Sequence, residues 1–414
     1  MVTGRALSGD LIPVAEARAR LLTDAGPLGT ETIALADAQG RVLAVDLQAL
    51  RTQPPDAVSA MDGYAVRAAD LKNAPVELTV IGEVAAGHPF GGTVGHGEAA
   101  RIFTGGVVPS GADTVTIQEN VTVLGDGKVR ADQAEPIGRN IRAAGLDFAN
   151  DQTVLEAGTL LDAGALCLAA AANHPALPVF RRPRVAVLAT GDELLPPGSE
   201  TGPGQIIASN SFGVTAIARD AGAEVNDLGI VRDREDELAA ALDRAVQTGC
   251  DILVTLGGAS VGDHDLVQKV FVSRGMTLGF WKIAMRPGKP LMSGHLGAMR
   301  ILGLPGNPVS ALVCGHLFLK PLVEKLAGRP PSEVRTQAVL DVPLSANDRR
   351  EDYMRAVAWR DDTGVLRVKP FDTQDSSMIS AFARSNVLLV RSPHAPAAAA
   401  DETVEVLVLK PHAL

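Results

Sequence analysis

The stretch from Trp281 to Pro290, WKIAMRPGKP, gathers Lys282, Arg286 and Lys289 around a Pro/Gly turn, and LGLPGNPVSA from Leu302 to Ala311 answers it with a second such turn. Proline lacks the N–H that a strand ladder needs and glycine relaxes the backbone, so each turn ends an apolar run and exposes amides. The second leads from an apolar strand, Met299 to Leu304, into a helix for which Pro308 suits the first position. Free amides at that helix start would face the space the cations face. Cations beside unpaired amides suit an oxyanion or a phosphate. Ordinary surface turns do not require so much positive charge.

Acidic residues stand at several other loop ends: Asp62, Asp147, Asp192, Glu193, Asp233, Asp263 and Asp265. Hard oxygen donors of this kind suit Mg²⁺ shared between a carboxylate or two and a substrate phosphate. Taken singly, each also suits a helix cap or a turn. Gly-rich strand ends beside Glu193 and Asp265 favour these two as metal ligands. Gly258 to Gly262 fits G-x-S-x-G, which would make Ser260 a nucleophile with His264 or His295 as its base. The Gly-Asp-His-Asp that follows reads instead as a carboxylate-rich, ion-binding loop. Upstream, SAMDGYAV sets Asp62 before a glycine that lets a ligand approach the backbone, and RNIRAAGLD brings two arginines and Asp147 to another glycine turn. Surface ion pairs are the competing reading of the latter. Neither a P-loop nor a dinucleotide fingerprint occurs.

The elements that must position these residues follow from periodicity. Val14 to Thr23 predicts an amphipathic helix. From about Ala49 to Gly145 short β-like runs broken by Gly and Pro predict a small, mostly β subdomain, and Gly158 to Ala172 returns to helix. From Arg184 onward apolar strands alternate with amphipathic helices: RVAVLAT, a helix from Asn210 to Ala221, EVNDLGIV, a helix from Arg234 to Thr248, then DILVTLGG. That alternation predicts a mostly parallel sheet covered on both faces, with ligands at the carboxyl ends of its strands. The loops TGDEL, GGASVGDHD and LPGNP lie at those ends. After Arg329-Pro330-Pro331 the helices are expected to stop, and AVLDVPL, VLLVR and EVLVLK predict a small β-barrel or sandwich.

With 414 residues the chain exceeds a single core, and 46% hydrophobic with 21% charged residues is a globular composition. A net charge of −10 excludes broad nucleic-acid binding, so an anionic ligand must be held by a local cluster. Cys167, Cys250 and Cys314 sit in apolar neighbourhoods and read as packing thiols of a reducing compartment. The start of the chain carries no secretion signal pattern, and the longest apolar stretch, Ala165 to Ala172, is too short to span a membrane. A cytoplasmic protein without membrane or nucleic-acid partners is expected.

Taken together, SAMDGYAV, IFTGG, GRNIRAAGLD, ATGDEL, GIVRD, GGASVGDHD, MRPGKP and LPGNPVSA resemble, in order and over nearly the whole chain, the molybdopterin molybdenumtransferase family, the MoeA proteins related to the gephyrin E domain. The resemblance implies a multidomain α/β fold: a mixed N-terminal domain (1–48 and 146–180), an inserted β subdomain (49–145), a three-layer α/β domain with a mostly parallel sheet (181–328) and a C-terminal β-barrel (329–414). It implies a homodimer whose active site lies between the α/β and barrel domains of one subunit and the inserted subdomain of the other. The implied reaction transfers molybdenum from molybdate to adenylated molybdopterin with Mg²⁺ and releases AMP, and a molybdopterin adenylyltransferase is the implied partner. Carried over onto this chain, the catalytic positions are Asp62, Thr104, Arg142, Asp147, Glu193, Asp233 and Asp265, with Glu193 and Asp265 on the metal. The substrate-binding positions are Lys282, Arg286, Lys289, Pro305, Pro308, Ser310 and Ser376, joined by Arg350 or Arg355 from RREDYMR. The chain departs from the family's usual Lys at Arg286 and Val at Ala259, and Asp263 competes with Asp265 for the metal. The competing functions are a gephyrin-like anchoring scaffold and, sharing only the α/β domain, a molybdopterin adenylyltransferase.

Overall fold

Helix α1 (Val14–Leu22) buries Val14, Ala17 and Leu21 along one face, with Glu16 in its first turn and Arg20 in its last, as the helix dipole favours. The computed structural model describes residues 11–258 and 266–413. Their contacts group them into two units, one of residues 11–31, 40–42 and 179–413, the other of 32–39 and 43–178.

The second unit is built on a six-stranded sheet of β1 (Gly63–Val66), β2 (Val76–Val84), β3 (Glu98–Ile102), β4 (Thr114–Ile117), β5 (Val121–Gly125) and β6 (Lys128–Ala131), in the order β4-β1-β3-β2-β6-β5. Strand β1 is buried at every residue because it pairs on both edges, antiparallel to β3 and to β4. Helix α2 (Ala163–Ala171) starts later than the predicted Gly158 because Asp162 caps it, accepting the Ala165 N–H at 2.9 Å. Cys167 on this helix is exposed, against the expectation that it packs inside, whereas Cys250 and Cys314 are buried.

The first unit holds the α/β sheet, made of β7 (Arg184–Thr190), β8 (Glu224–Val231), β9 (Ile252–Leu256), β10 (Thr277–Trp281), β11 (Met292–Leu296) and β12 (Met299–Leu304). Its order is β8-β7-β9-β12-β11-β10, with the first four strands parallel and the last two antiparallel to their neighbours. Residues 252–256 are buried without exception and β7 nearly so, the mark of strands covered on both faces. Helices α3 (Asn210–Asp220), α4 (Glu235–Gln247), α5 (Leu266–Ser273), α6 (Pro308–Cys314) and α7 (Lys320–Leu326) supply that cover. Leu302 and Leu304 of β12 share one core with Val214 and Ile217 of α3 and with Val14 and Leu21 of α1. Burying each such leucine contributes about 1.5–3 kcal/mol.

The same unit ends in a barrel of β13 (Arg335–Leu340), β14 (Glu351–Arg360), β15 (Leu366–Pro370), β16 (Val387–Arg391) and β17 (Thr403–Val408). The pairings β14-β15-β13-β17-β16 return to β14, so the barrel is closed. Asn386 pins it from inside, donating to the Ala358 and Ala413 carbonyls and accepting the Ala358 N–H at 2.8 Å. Helices do not stop at Pro331: α8 (Ile379–Arg384) lies between β15 and β16. Strands β14 and β15 also escape the sequence reading, because charged residues interrupt the alternation along EDYMRAVAWR and LRVKP.

Candidate active site

The carboxyl ends of β7, β9 and β12 open into a cleft of about 650 Å³. Thr190 and Glu193 line it after β7, Gly257 and Gly258 after β9, and Pro305, Gly306, Asn307 and Pro308 after β12. Asp233, Ser209, Asn210 and, from the C-terminal module, Ser377 and Ile379 complete the wall. The turn after β9 must be glycine for steric reasons. Gly258 has φ +65°, and a Cβ there would fall 2.2 Å from Val267 Cγ2. Among the described residues, Thr190 Oγ1, buried beneath the cleft, has no hydrogen-bond partner, which leaves a donor beside the ligand space.

Of the sequence-predicted ligands, Glu193, Asp233, Pro305 and Pro308 line this cleft. Asp233 has its carboxyl held above the ordinary value, first by burial and then by the negative charges of Asp192 and Glu193. The negative charge that Asp192 and Glu193 place around the Asp233 carboxyl makes a place where a cation is favourable. Among the described residues no group of three or more His, Cys, Asp or Glu side chains forms a metal cage, and Asp265, Asp263, Ser260 and His264 lie outside the described residues. The carboxylate oxygens of Glu193 and Asp233 that line the cleft are hard donors of the kind an ion such as Mg²⁺ takes.

The other predicted ligands stand back from the cleft wall. The Val309 amide at the start of α6 is not free as expected: it donates to the Ser376 carbonyl at 3.1 Å, because the loop before α8 folds over the helix start. Ser376 Oγ in turn accepts from Asn307 Nδ2 at 3.0 Å. Ser310 is buried in α6. Arg355 is 1% exposed, donates to the Asp375 carbonyl at 3.2 Å and, among the described residues, has no partner for its Nε; burial holds its pKa down. Arg350 pairs with Asp348 at 3.0 Å. Lys282 lies over the Trp281 ring, 4.1 Å from its centroid. Arg286 is tied to Asp352 rather than presented bare, and Pro290, next to Lys289, reaches the cleft.

In the other unit, Asp62 and Thr104 are brought together. Thr104 donates both its N–H and its hydroxyl to Asp62 Oδ1, at 2.7 and 2.8 Å, and these bonds hold the Asp62 carboxyl below its ordinary value. Arg101, stacked 5.0 Å from both the Tyr64 and Phe103 centroids, adds positive charge beside Asp62. Arg142 is exposed, on a strand paired with Val58, and Asp147 is exposed beyond it. Sequence reasoning misses Asn210, Ser377 and Asp352, and reaches Thr190 and Asn307 only as members of the strand-end loops TGDEL and LPGNP, whose position is the signal that points to them.

The strand-end loops of a parallel sheet thus join acidic residues and Pro/Gly turns in one cleft, in a unit that also carries a closed barrel. The MoeA N-terminal region (domain I and II) matches residues 12–173, the probable molybdopterin binding domain residues 186–325, and the MoeA C-terminal region (domain IV) residues 337–409. The molybdopterin molybdenumtransferase of Haemophilus influenzae is 36% identical over 96% of this chain and 98% of its own. That of Bacillus subtilis is 33% identical over 96% and 94%. Molybdopterin molybdenumtransferase 2 of Mycobacterium tuberculosis (strain H37Rv) is 39% identical over 79% and 82%. A solved molybdopterin biosynthesis MoeA protein from Pyrococcus horikoshii superposes with a TM-score of 0.83 at 28% identity, covering 97% of this chain and 100% of that one. The chain belongs to the MoeA family of molybdopterin molybdenumtransferases, transferases of molybdenum cofactor biosynthesis. The multidomain fold with its barrel agrees with the expectation from sequence. Among the described residues no helix is long and apolar enough to cross a membrane.

Proposed function

We propose that the cleft binds adenylated molybdopterin and that this chain transfers molybdenum from molybdate to its dithiolene, releasing AMP. The observation that carries this reading is the convergence of Glu193, Asp233 and the LPGNP turn on one cleft at the ends of parallel strands. Asn210, whose side chain donates to the Gly306 carbonyl at 2.7 Å, holds the LPGNP turn in place for the ligand. Thr190 Oγ1 is one donor that the ligand's oxygens would satisfy. Glu193, with Asp265, would hold Mg²⁺, and Asp233, which senses the Glu193 charge, is a further acid of the cleft. Bound there, the ion would neutralise charge on the pyrophosphate.

Molybdate, a tetrahedral dianion, is placed against the MRPGKP turn, where Lys289 and Arg286 supply charge and Lys282 adds to the field. Ser376 and Arg355 order the loop that closes this side, and Arg350 balances Asp348. The Asp62–Thr104 pair, with Arg142 and Asp147, is assigned to the cleft of a second copy in a homodimer. A low-pKa carboxylate there stays ionised and accepts hydrogen bonds from nucleotide or water. A cytoplasmic molybdopterin adenylyltransferase is the proposed source of the substrate.

The test is anaerobic turnover with adenylated molybdopterin, molybdate and Mg²⁺, following AMP release and activation of an apo molybdoenzyme. Molybdate-dependent AMP release that disappears in Glu193→Ala supports the transferase reading. Tight nucleotide binding without turnover would sink it and leave an anchoring scaffold.

A further inference from the structure

Arg286 does not sit alone on its turn. Its Nε donates to Asp352 Oδ2 at 3.1 Å and its Nη2 contacts the same oxygen, while Asn347 Oδ1 lies 3.4 Å from Nη2 and Asp348 Oδ2 3.7 Å from Nη1. The two partners are unequal in exposure: the Asp352 side chain is 7% exposed and that of Arg286 46%. The backbone repeats the link. Met285 and Arg286 pair in parallel with Glu351 and Asp352, and the Glu351 N–H donates to the Ala284 carbonyl at 2.9 Å. Asp352 is also near enough to Arg355 for the charges to interact, and Arg355 senses Arg286 as a like charge. One buried carboxylate thus serves as counter-ion to two arginines.

We propose that Asp352 is a positioning residue for the oxyanion side of the site: it fixes the Arg286 guanidinium and, through it, the turn that carries Lys289, without touching the anion itself. This rests on the proposed reading of the turn as the oxyanion subsite. Exposed ion pairs contribute little, but here one partner is buried, so removing either leaves a charge without its complement. With the Nε/Nη2 edge held by Asp352, Nη1, met more loosely by Asp348 Oδ2 at 3.7 Å, is the end turned to an oxyanion. The guanidinium then meets the anion in one orientation, which a free arginine would have to select from many.

The test is a double-mutant cycle on the full chain, with Arg286→Gln, Asp352→Asn and the pair together, read by calorimetric binding of molybdate and by the KM for molybdate against kcat. Each single variant is expected to weaken molybdate binding about tenfold, and the double variant by no more than about tenfold, because the two act as one unit. AMP affinity should stay within about twofold. Asp352→Glu, which keeps the charge, should recover most of the molybdate affinity, and it serves the cycle with Arg286→Lys if Asp352→Asn does not fold. Asp352→Asn that binds molybdate as tightly as the parent overturns the proposal, and so does a double loss near the product of the single losses. An equal loss of molybdate and AMP affinity also overturns it, as a merely structural role. A parent protein that neither binds molybdate nor shows molybdate-dependent AMP release fails at the earlier reading, a result distinct from an uncoupled pair in a working enzyme.

Discussion

Replacing Gly258 by alanine separates two costs that are usually confounded, because Gly249 offers a matched control. Gly258 has φ +65° and Gly249 φ +63°, so an alanine at either pays the same backbone strain, about 1–2 kcal/mol. They differ in what the new methyl meets. At Gly249, just past α4, nothing lies within 4 Å; at Gly258 the Cβ would be 2.2 Å from Val267 Cγ2 and 3.3 Å from Thr190 Oγ1. Val267 is fully buried on α5 and cannot swing away, so overpacking should add about 1–3 kcal/mol. Urea unfolding in a Trp359→Phe background, with Trp281 of β10 as the fluorescent reporter, should place Gly258→Ala below Gly249→Ala by that difference at unchanged m. The displaced loop should also slow AMP release in Gly258→Ala and leave it unaltered in Gly249→Ala. Equal midpoints for the two variants would refute the argument that close packing, rather than backbone freedom alone, dictates glycine at the end of β9.

Three further outcomes are expected. Asp233 has a raised carboxyl pKa, so the folded state holds its proton more tightly than the unfolded chain; the associated stability is full below the ordinary carboxylate pKa and is lost as pH rises through the raised one. Glu193→Gln should flatten that decline and lower the Asp233 titration seen by carbon NMR, and an unmoved titration would contradict the assigned coupling. Asp62 runs the other way: its lowered pKa gives stability present above the ordinary value and lost as pH falls through the folded one. Thr104→Val should raise the Asp62 titration point, and no rise would mean that the hydroxyl bond contributes nothing. Asn307→Ala removes the bond to Ser376 Oγ, and a two- to tenfold rise in half-saturating molybdate is expected from about 0.5–1.5 kcal/mol; an unchanged value would show that the loop before α8 is held without Asn307, by the Val309 amide and Arg355.

What was readable in advance follows from the kind of signal each part leaves. The parallel strands are apolar runs, and β9 is legible from DILVTLGG because a strand buried on both faces is apolar at four of its five residues, Thr255 alone being polar. Strand β14 could not, since its buried Asp352 and Arg355 look in sequence like solvated charges and are reconciled only by partners far along the chain. The Pro/Gly turns were legible as chemistry because their residue types are costly elsewhere. Their occupancy was not: nothing in LPGNPVSA says that the Val309 amide would be taken by Ser376. Arg286 was legible as a cation but not as one already paired, for the same reason.

The two-residue ladder between Met285–Arg286 and Glu351–Asp352 bears on how this enzyme can be recombined. An exchange of C-terminal modules between relatives would seem to need only a cut in the proline-rich connection near Pro330. The rim of the barrel, however, is completed by a segment that the chain lays down before β11, some way upstream of any such cut. A transplanted barrel would arrive without its own edge and would meet a foreign one. Chimeras that keep the MRPGKP turn and the barrel from the same parent should therefore assemble where those that split them do not.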